Sequence, residues 1–170
     1  MKPKKYVVVD PVKCTGCSIC EFVCSEGKKK AYNPKESRIR VVQLNVATIT
    51  AISCVLCEDP ICVMACSRKA LFQNDAGVIA VDEEKCNGCG LCVQACKFGA
   101  VMVSPIKGTV MICDLCNGDP KCVSLCPAEA LSIANMESMK QKIKEAATLW
   151  ILISELEKSE KKNDVQILWI

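Results

Sequence analysis

Apolar residues in this chain come in short runs separated by polar, turn-rich segments. Stretches rich in β-branched residues lie at 5–10, 39–44, 47–53, 78–81, 100–103 and 109–112. Each is bounded by turn formers or a cysteine group, which predicts short strands. The segments "ICEFVC" and "LCVQAC" place apolar residues at helical spacing and predict short helices there. Residues 28–40 read as a basic loop with Asn33-Pro34 as its turn. Residues 136–158 contain neither Gly nor Pro, and Asn135 is placed to cap a helix. Met139, Ile143, Ala146, Trp150 and Ile153 would form its apolar face. A charged stretch, 157–164, leads to an apolar end, "VQILWI". Small sheets with short helices between them predict an α+β fold.

Composition changes this picture at one residue type. Sixteen of 170 residues are cysteine, and aromatics make up 4%. Such a chain has little conventional core, so metal sites or disulfides must supply part of the interior. The cysteines fall into four groups of two kinds. The tight kind is Cys14-x2-Cys17-x2-Cys20-x3-Cys24 and Cys86-x2-Cys89-x2-Cys92-x3-Cys96. The loose kind is Cys54-x2-Cys57-x4-Cys62-x3-Cys66 and Cys113-x2-Cys116-x5-Cys122-x3-Cys126. "KCTGCSICEFVC" matches "KCNGCGLCVQAC", and "CVLCEDPICVMACSRKAL" matches "CDLCNGDPKCVSLCPAEAL". The chain is an internal duplication in tight–loose–tight–loose order.

The spacing points to iron and sulfide. A Cys-x2-Cys-x2-Cys loop sets three thiolates around one backbone turn whose N–H groups can face cluster sulfides. Gly16 and Gly88, between the first two cysteines, suit a backbone that approaches closely with unusual dihedrals. The fourth cysteine, expected on the helical turn, serves the neighbouring cluster in two-cluster ferredoxins. Sixteen thiolates make four [4Fe–4S] clusters. Zinc sites draw on two separate CxxC pairs and fit triple-cysteine loops poorly. Disulfides are disfavoured by the absence of a secretory pattern at the N-terminus, which gives a cytoplasmic expectation. Four clusters would carry the formal charge from +3 to about −5, so nucleic acid is not an expected partner. Histidine is absent, which excludes Rieske centres and histidine-based acid–base or triad chemistry. Neither a Walker loop nor a GxGxxG fingerprint follows a strand, and no apolar run reaches membrane-spanning length.

On these motifs, over about residues 5–134, the chain resembles the four-cluster, ferredoxin-like electron-transfer subunits of multi-subunit oxidoreductases. The resemblance implies two pseudo-repeated bacterial-ferredoxin-like modules with two [4Fe–4S] clusters each, small sheets, and short helices over the clusters. It nests residues 47–103 between 5–46 and 104–134 within a domain 1–134, with a C-terminal helix and tail at 135–170. It implies four ligand sets. Cys14, Cys17, Cys20 and Cys126 hold cluster 1, and Cys24, Cys113, Cys116 and Cys122 hold cluster 2. Cys54, Cys57, Cys62 and Cys96 hold cluster 3, and Cys66, Cys86, Cys89 and Cys92 hold cluster 4. Spacing alone allows sequential pairing equally. The family often has proline after each fourth cysteine; here only Pro127 conforms, and Ser25, Ser67 and Lys97 stand elsewhere. Lys97 either raises its cluster's potential by folding inward or is solvated.

"CTGCSICEFVCS" with "NPKESRIRV" downstream is similar to the small subunits of tungsten enzymes of the aldehyde oxidoreductase family, including the benzoyl-CoA reductase branch. This implies an electron relay in anaerobic metabolism, without a catalytic residue of its own, serving a larger tungstopterin (or molybdenum) subunit. A ferredoxin, a flavin subunit or further copies of the chain are additional expected partners. A carrier for CO dehydrogenase or hydrogenase is the alternative within the same chemistry, and a zinc-stabilised interaction protein the alternative outside it. Trp150, Trp169 and the tail 165–170 either dock on a partner or cover this chain's own clusters. Residues 28–30 and 35–40 form the one strong basic patch, either steering an acidic partner or simply solvated.

Overall fold

The computed structural model describes residues 5–29, 32–43, 49–135, 137–138 and 141. The chain divides into two compact units, Met1–Ala134 and Asn135–Ile170. The first unit carries all sixteen cysteines and is a small mixed helix-and-sheet structure.

Among the described residues, eight strands form four two-stranded sheets. The first strand, β1 (Lys5–Val9), pairs with the last, β8 (Leu131–Asn135). Strand β2 (Arg40–Gln43) runs antiparallel to β3 (Ile49–Ile52), with Arg40 opposite Ile52. Strand β4 (Leu71–Gln73) pairs with β5 (Ile79–Val81) through Leu71 opposite Val81. Strand β6 (Met102–Val103) pairs with β7 (Val110–Met111). Each sheet is too small to be stable alone. Among the described residues, helices α1 (Ile19–Lys29), α2 (Ile61–Met64), α3 (Leu91–Ala95) and α4 (Lys121–Ser124) lie between. Helix α1 packs with α4, and α2 with α3, so the outer two cysteine groups meet each other and the inner two meet each other.

The interior mixes cysteine with few aliphatics. One buried cluster joins Val7, Ile39, Ala51 and Leu131 to Cys20 and Cys122. Tyr6, Ile39 and Ile79 are the largest fully buried apolar side chains. Among the described residues no helix is long and apolar enough to cross a membrane.

Three sequence expectations need correction. Strands β4 and β8 were absent from the periodicity, because "LFQ" and "LSIAN" are short and follow directly on cysteine groups. The fourth cysteine sits on a helix only at Cys24. Helices α2, α3 and α4 stop before Cys66, Cys96 and Cys126, whose N–H groups bond Val63, Val93 and Val123 carbonyls. The basic stretch contains regular structure: α1 extends to Lys29, and Pro34–Glu36 is a 3-10 turn capped by Asn33. Its arginines are not free, since Arg38 pairs with Asp114 at 2.6 Å and Arg40 with Glu21 at 3.6 Å. Asn135 ends β8, and its Oδ1 accepts from the Ser138 N–H at 2.8 Å, as a cap would. The rest of the expected C-terminal helix, both tryptophans and the 165–170 tail lie outside the described residues.

Candidate metal centres

All four cysteine groups share a backbone device. The second residue after each first cysteine is left-handed: Gly16 (φ +72), Leu56 (φ +49), Gly88 (φ +67) and Leu115 (φ +57). Leucine tolerates this conformation poorly, at about 1–2 kcal/mol per residue, so the loop demands the shape whatever the side chain. Such turns point successive N–H groups inward, an anion-binding concavity. At Gly88 the missing Cβ has a second use, because a Cβ there would lie 1.9 Å from the Gly108 carbonyl oxygen. The close approach at Gly88 is therefore to the β6–β7 turn.

A matched turn precedes both tight groups. The Asp10 and Asp82 carboxylates accept from the Val12 and Glu84 N–H groups, and their carbonyls accept from the Cys14 and Cys86 N–H groups at 3.1 Å. A matched tail follows three of the fourth cysteines. Lys69, Gly99 and Glu129 are left-handed, three residues on. Ala70, Ala100 and Ala130 are buried, four residues on. The Ala70 and Ala100 N–H groups donate to Cys66 and Cys96 Sγ at 3.2 and 3.4 Å. The sequence reading missed both devices, although Asp-x3-Cys and Cys-x3-Ala are visible repeats.

The fold brings distant cysteines together. Cys14, Cys17, Cys20 and Cys126 line one small cavity. Cys66, Cys86, Cys89 and Cys92 line another. Cys24, Cys113, Cys116 and Cys122 line a third, of about 220 Å³. For the remaining four, the Cys62 thiol is raised by burial and then by Cys96 and Cys57 beside it. Burial pushes Cys54 up to about 12, and Cys113, Cys62 and Cys57 push the same way. Neighbouring groups also touch electrostatically: Cys122 feels Cys20, and Cys54 feels Cys113.

Burial also raises Cys20 and Cys122 to about 12, and Cys92 and Cys113 to about 11. Cys66 goes the other way. Its slight burial is outweighed by the N–H groups of Leu71, Ala70, Arg68 and Lys69, which draw it below the ordinary thiol range. Thiols in fours, with N–H donors on sulfur, fit an iron–sulfur core, whose charge such donors stabilise. Among the described residues, no three donors are grouped as for a single metal ion. Lys97 is exposed, which corresponds to the solvated reading.

The 4Fe-4S binding domain family, Fer4, matches residues 79–102, the segment bearing Cys86, Cys89, Cys92 and Cys96. Binding of a 4Fe–4S cluster is thus a property of this chain. The polyferredoxin-like subunit of an aliphatic sulfonate oxidoreductase from Pyrococcus furiosus is 43% identical over 86 residues, half of each chain. One subunit of an anaerobic dimethyl sulfoxide reductase from Escherichia coli is 33% identical over 96 residues, covering 48% of this protein and 46% of that one. The chain therefore spans about half the length of these curated relatives. A solved structure of the active site complex BamBC of benzoyl-CoA reductase, with 1,5-dienoyl-CoA, aligns at 28% identity and a TM-score of 0.49. The alignment covers 79% of this chain and 77% of that one.

Proposed function

We propose that the chain is an electron-relay subunit holding four [4Fe–4S] clusters, with the nested ligand sets given above. The single observation that carries this reading is the convergence of cysteines far apart in sequence, such as Cys20 with Cys126 and Cys24 with Cys113, around common cavities. Each cluster would accept and release one electron per step; the chain's own residues hold the cores and set their order. The electrostatic contacts Cys20–Cys122 and Cys54–Cys113 support placing cluster 2 between clusters 1 and 3. Cys17 and Cys89 are the exposed cysteines. They belong to clusters 1 and 4, so both of these have a ligand at the surface, whereas no cysteine of clusters 2 and 3 is exposed.

The partner is a larger oxidoreductase subunit, as the names of the relatives above suggest by analogy. A tungstopterin enzyme of the aldehyde oxidoreductase type is the reading favoured by "CTGCSICEFVCS" and "NPKESRIRV". Anaerobic purification with metal analysis tests both levels. The relay requires about sixteen irons and matching sulfide per chain, and a paramagnetic signal after dithionite. Tungsten in the co-purifying subunit supports the specific partner. Nickel there would favour the carbon monoxide or hydrogen alternative. A colourless chain with about four zincs would overturn the relay.

A further inference from the structure

Cys24 is the fourth cysteine that departs from the common tail. Its helix continues to Lys29, so no residue four on can return an N–H to its sulfur. Instead the Arg38 N–H, fourteen residues on, donates to Cys24 Sγ at 3.3 Å. The same residue sends its guanidinium to Asp114 Oδ2 at 2.6 Å. Asp114 sits between Cys113 and the Cys116 N–H, which donates to its Oδ1 at 3.0 Å. Arg38 and Asp114 both line the 220 Å³ cavity with Cys24, Cys113, Cys116 and Cys122. Their side chains are only 22% and 30% exposed, so water screens them partly.

We propose that Arg38 and Asp114 are a paired positioning device that sets the reduction potential of the cluster held by Cys24, Cys113, Cys116 and Cys122. The inference rests on the relay reading. Adding an electron makes a cluster more negative. The Arg38 cation favours that step, and the Asp114 anion opposes it. Bonded to each other, they hold the potential between the values either charge alone would impose. The Arg38 N–H to Cys24 favours reduction further and is a backbone contact that side-chain substitution leaves in place.

The experiment is a dithionite redox titration of the holoprotein, followed by paramagnetic resonance, on R38Q, D114N and the double variant. R38Q should lower one of the potentials and D114N should raise the same one, each by on the order of tenfold in the reduction equilibrium. R38Q/D114N should return close to the parent. D114N keeps an oxygen for the Cys116 N–H, so it tests the idea even if R38Q loads poorly. Shifts of the same sign in both single variants, or full iron with no shift, overturn the device while leaving the relay intact. A parent protein without iron overturns the relay itself.

Discussion

At the residue scale, two glycines separate steric need from backbone strain. Gly88 is left-handed and has the Gly108 carbonyl 1.9 Å from its would-be Cβ, whereas Gly99 is left-handed with nothing within 4 Å. G99A should cost about 1 kcal/mol of backbone strain. G88A adds an overlap that only movement of the β6–β7 turn can relieve. That turn also brings the Val110 N–H to Cys86 Sγ at 3.5 Å. Anaerobic thermal unfolding and iron analysis should show G99A fully loaded and G88A short of about one cluster. Ordinary loading of G88A would mean that the turn yields freely. The glycine was legible in the sequence; its neighbour was not, because Gly108 is twenty residues away and carries no matching signal.

The thiols also set a pH dependence. Five of them rise from 9.0 to about 11 or 12 by burial in the folded, metal-free chain. A raised folded value favours the protonated form. Its contribution to stability is complete below pH 9 and is lost as pH climbs through 11 to 12. Cluster assembly has the opposite sign, since each ligand must surrender its proton. Reconstitution with iron and sulfide should therefore become more complete from pH 7 to 9, as followed by visible absorbance. A flat profile would indicate that thiol ionisation does not limit loading.

At the scale of elements, the segment from the 3-10 turn to β2 acts as a tie. Glu36 is 1% exposed, and its Oε1 accepts from Ser104 Oγ at 2.7 Å and from the Ile106 N–H at 3.4 Å. This links the segment to the β6–β7 turn. E36A leaves both donors without that acceptor, which should cost about 1–3 kcal/mol. E36Q keeps an acceptor oxygen and replaces only Oε2, which has no hydrogen-bond partner. It should be clearly more stable than E36A in anaerobic thermal melts, and equal losses in both would reject the acceptor role. Sequence reading saw this stretch as a basic patch. Charge runs look solvated when the partner lies far off, and Asp114 is 76 residues from Arg38. The cysteine groups were legible for the opposite reason, since each carries its spacing locally. Strands β4 and β8 were illegible because three to five residues give too little periodicity and their pairing is set by the loops around them.

For the whole molecule, Cys54 and Cys113, two of the five buried cysteines, lie where the inner thiol sets adjoin. C113S should disable the second position of the relay while the exposed ends stay reducible. Stopped-flow reduction from a donor at one end should then stall before the other. Unimpaired passage would argue that electrons bypass the interior. Which distant cysteines line a common cavity could not be read from the sequence, because spacing is equally compatible with sequential pairing.

The pairing of β1 with β8 sets an order on biosynthesis. On the proposed ligand sets, Cys54, Cys57, Cys62, Cys66, Cys86, Cys89, Cys92 and Cys96 need no cysteine from outside their own stretch as the chain leaves the ribosome. Cys14, Cys17 and Cys20 are made first, yet they wait for Cys126 to join them in their cavity. Maturation should thus run from the inside outward, with the earliest-made thiols the last to be filled and the longest exposed to oxidants or to scavenging by zinc.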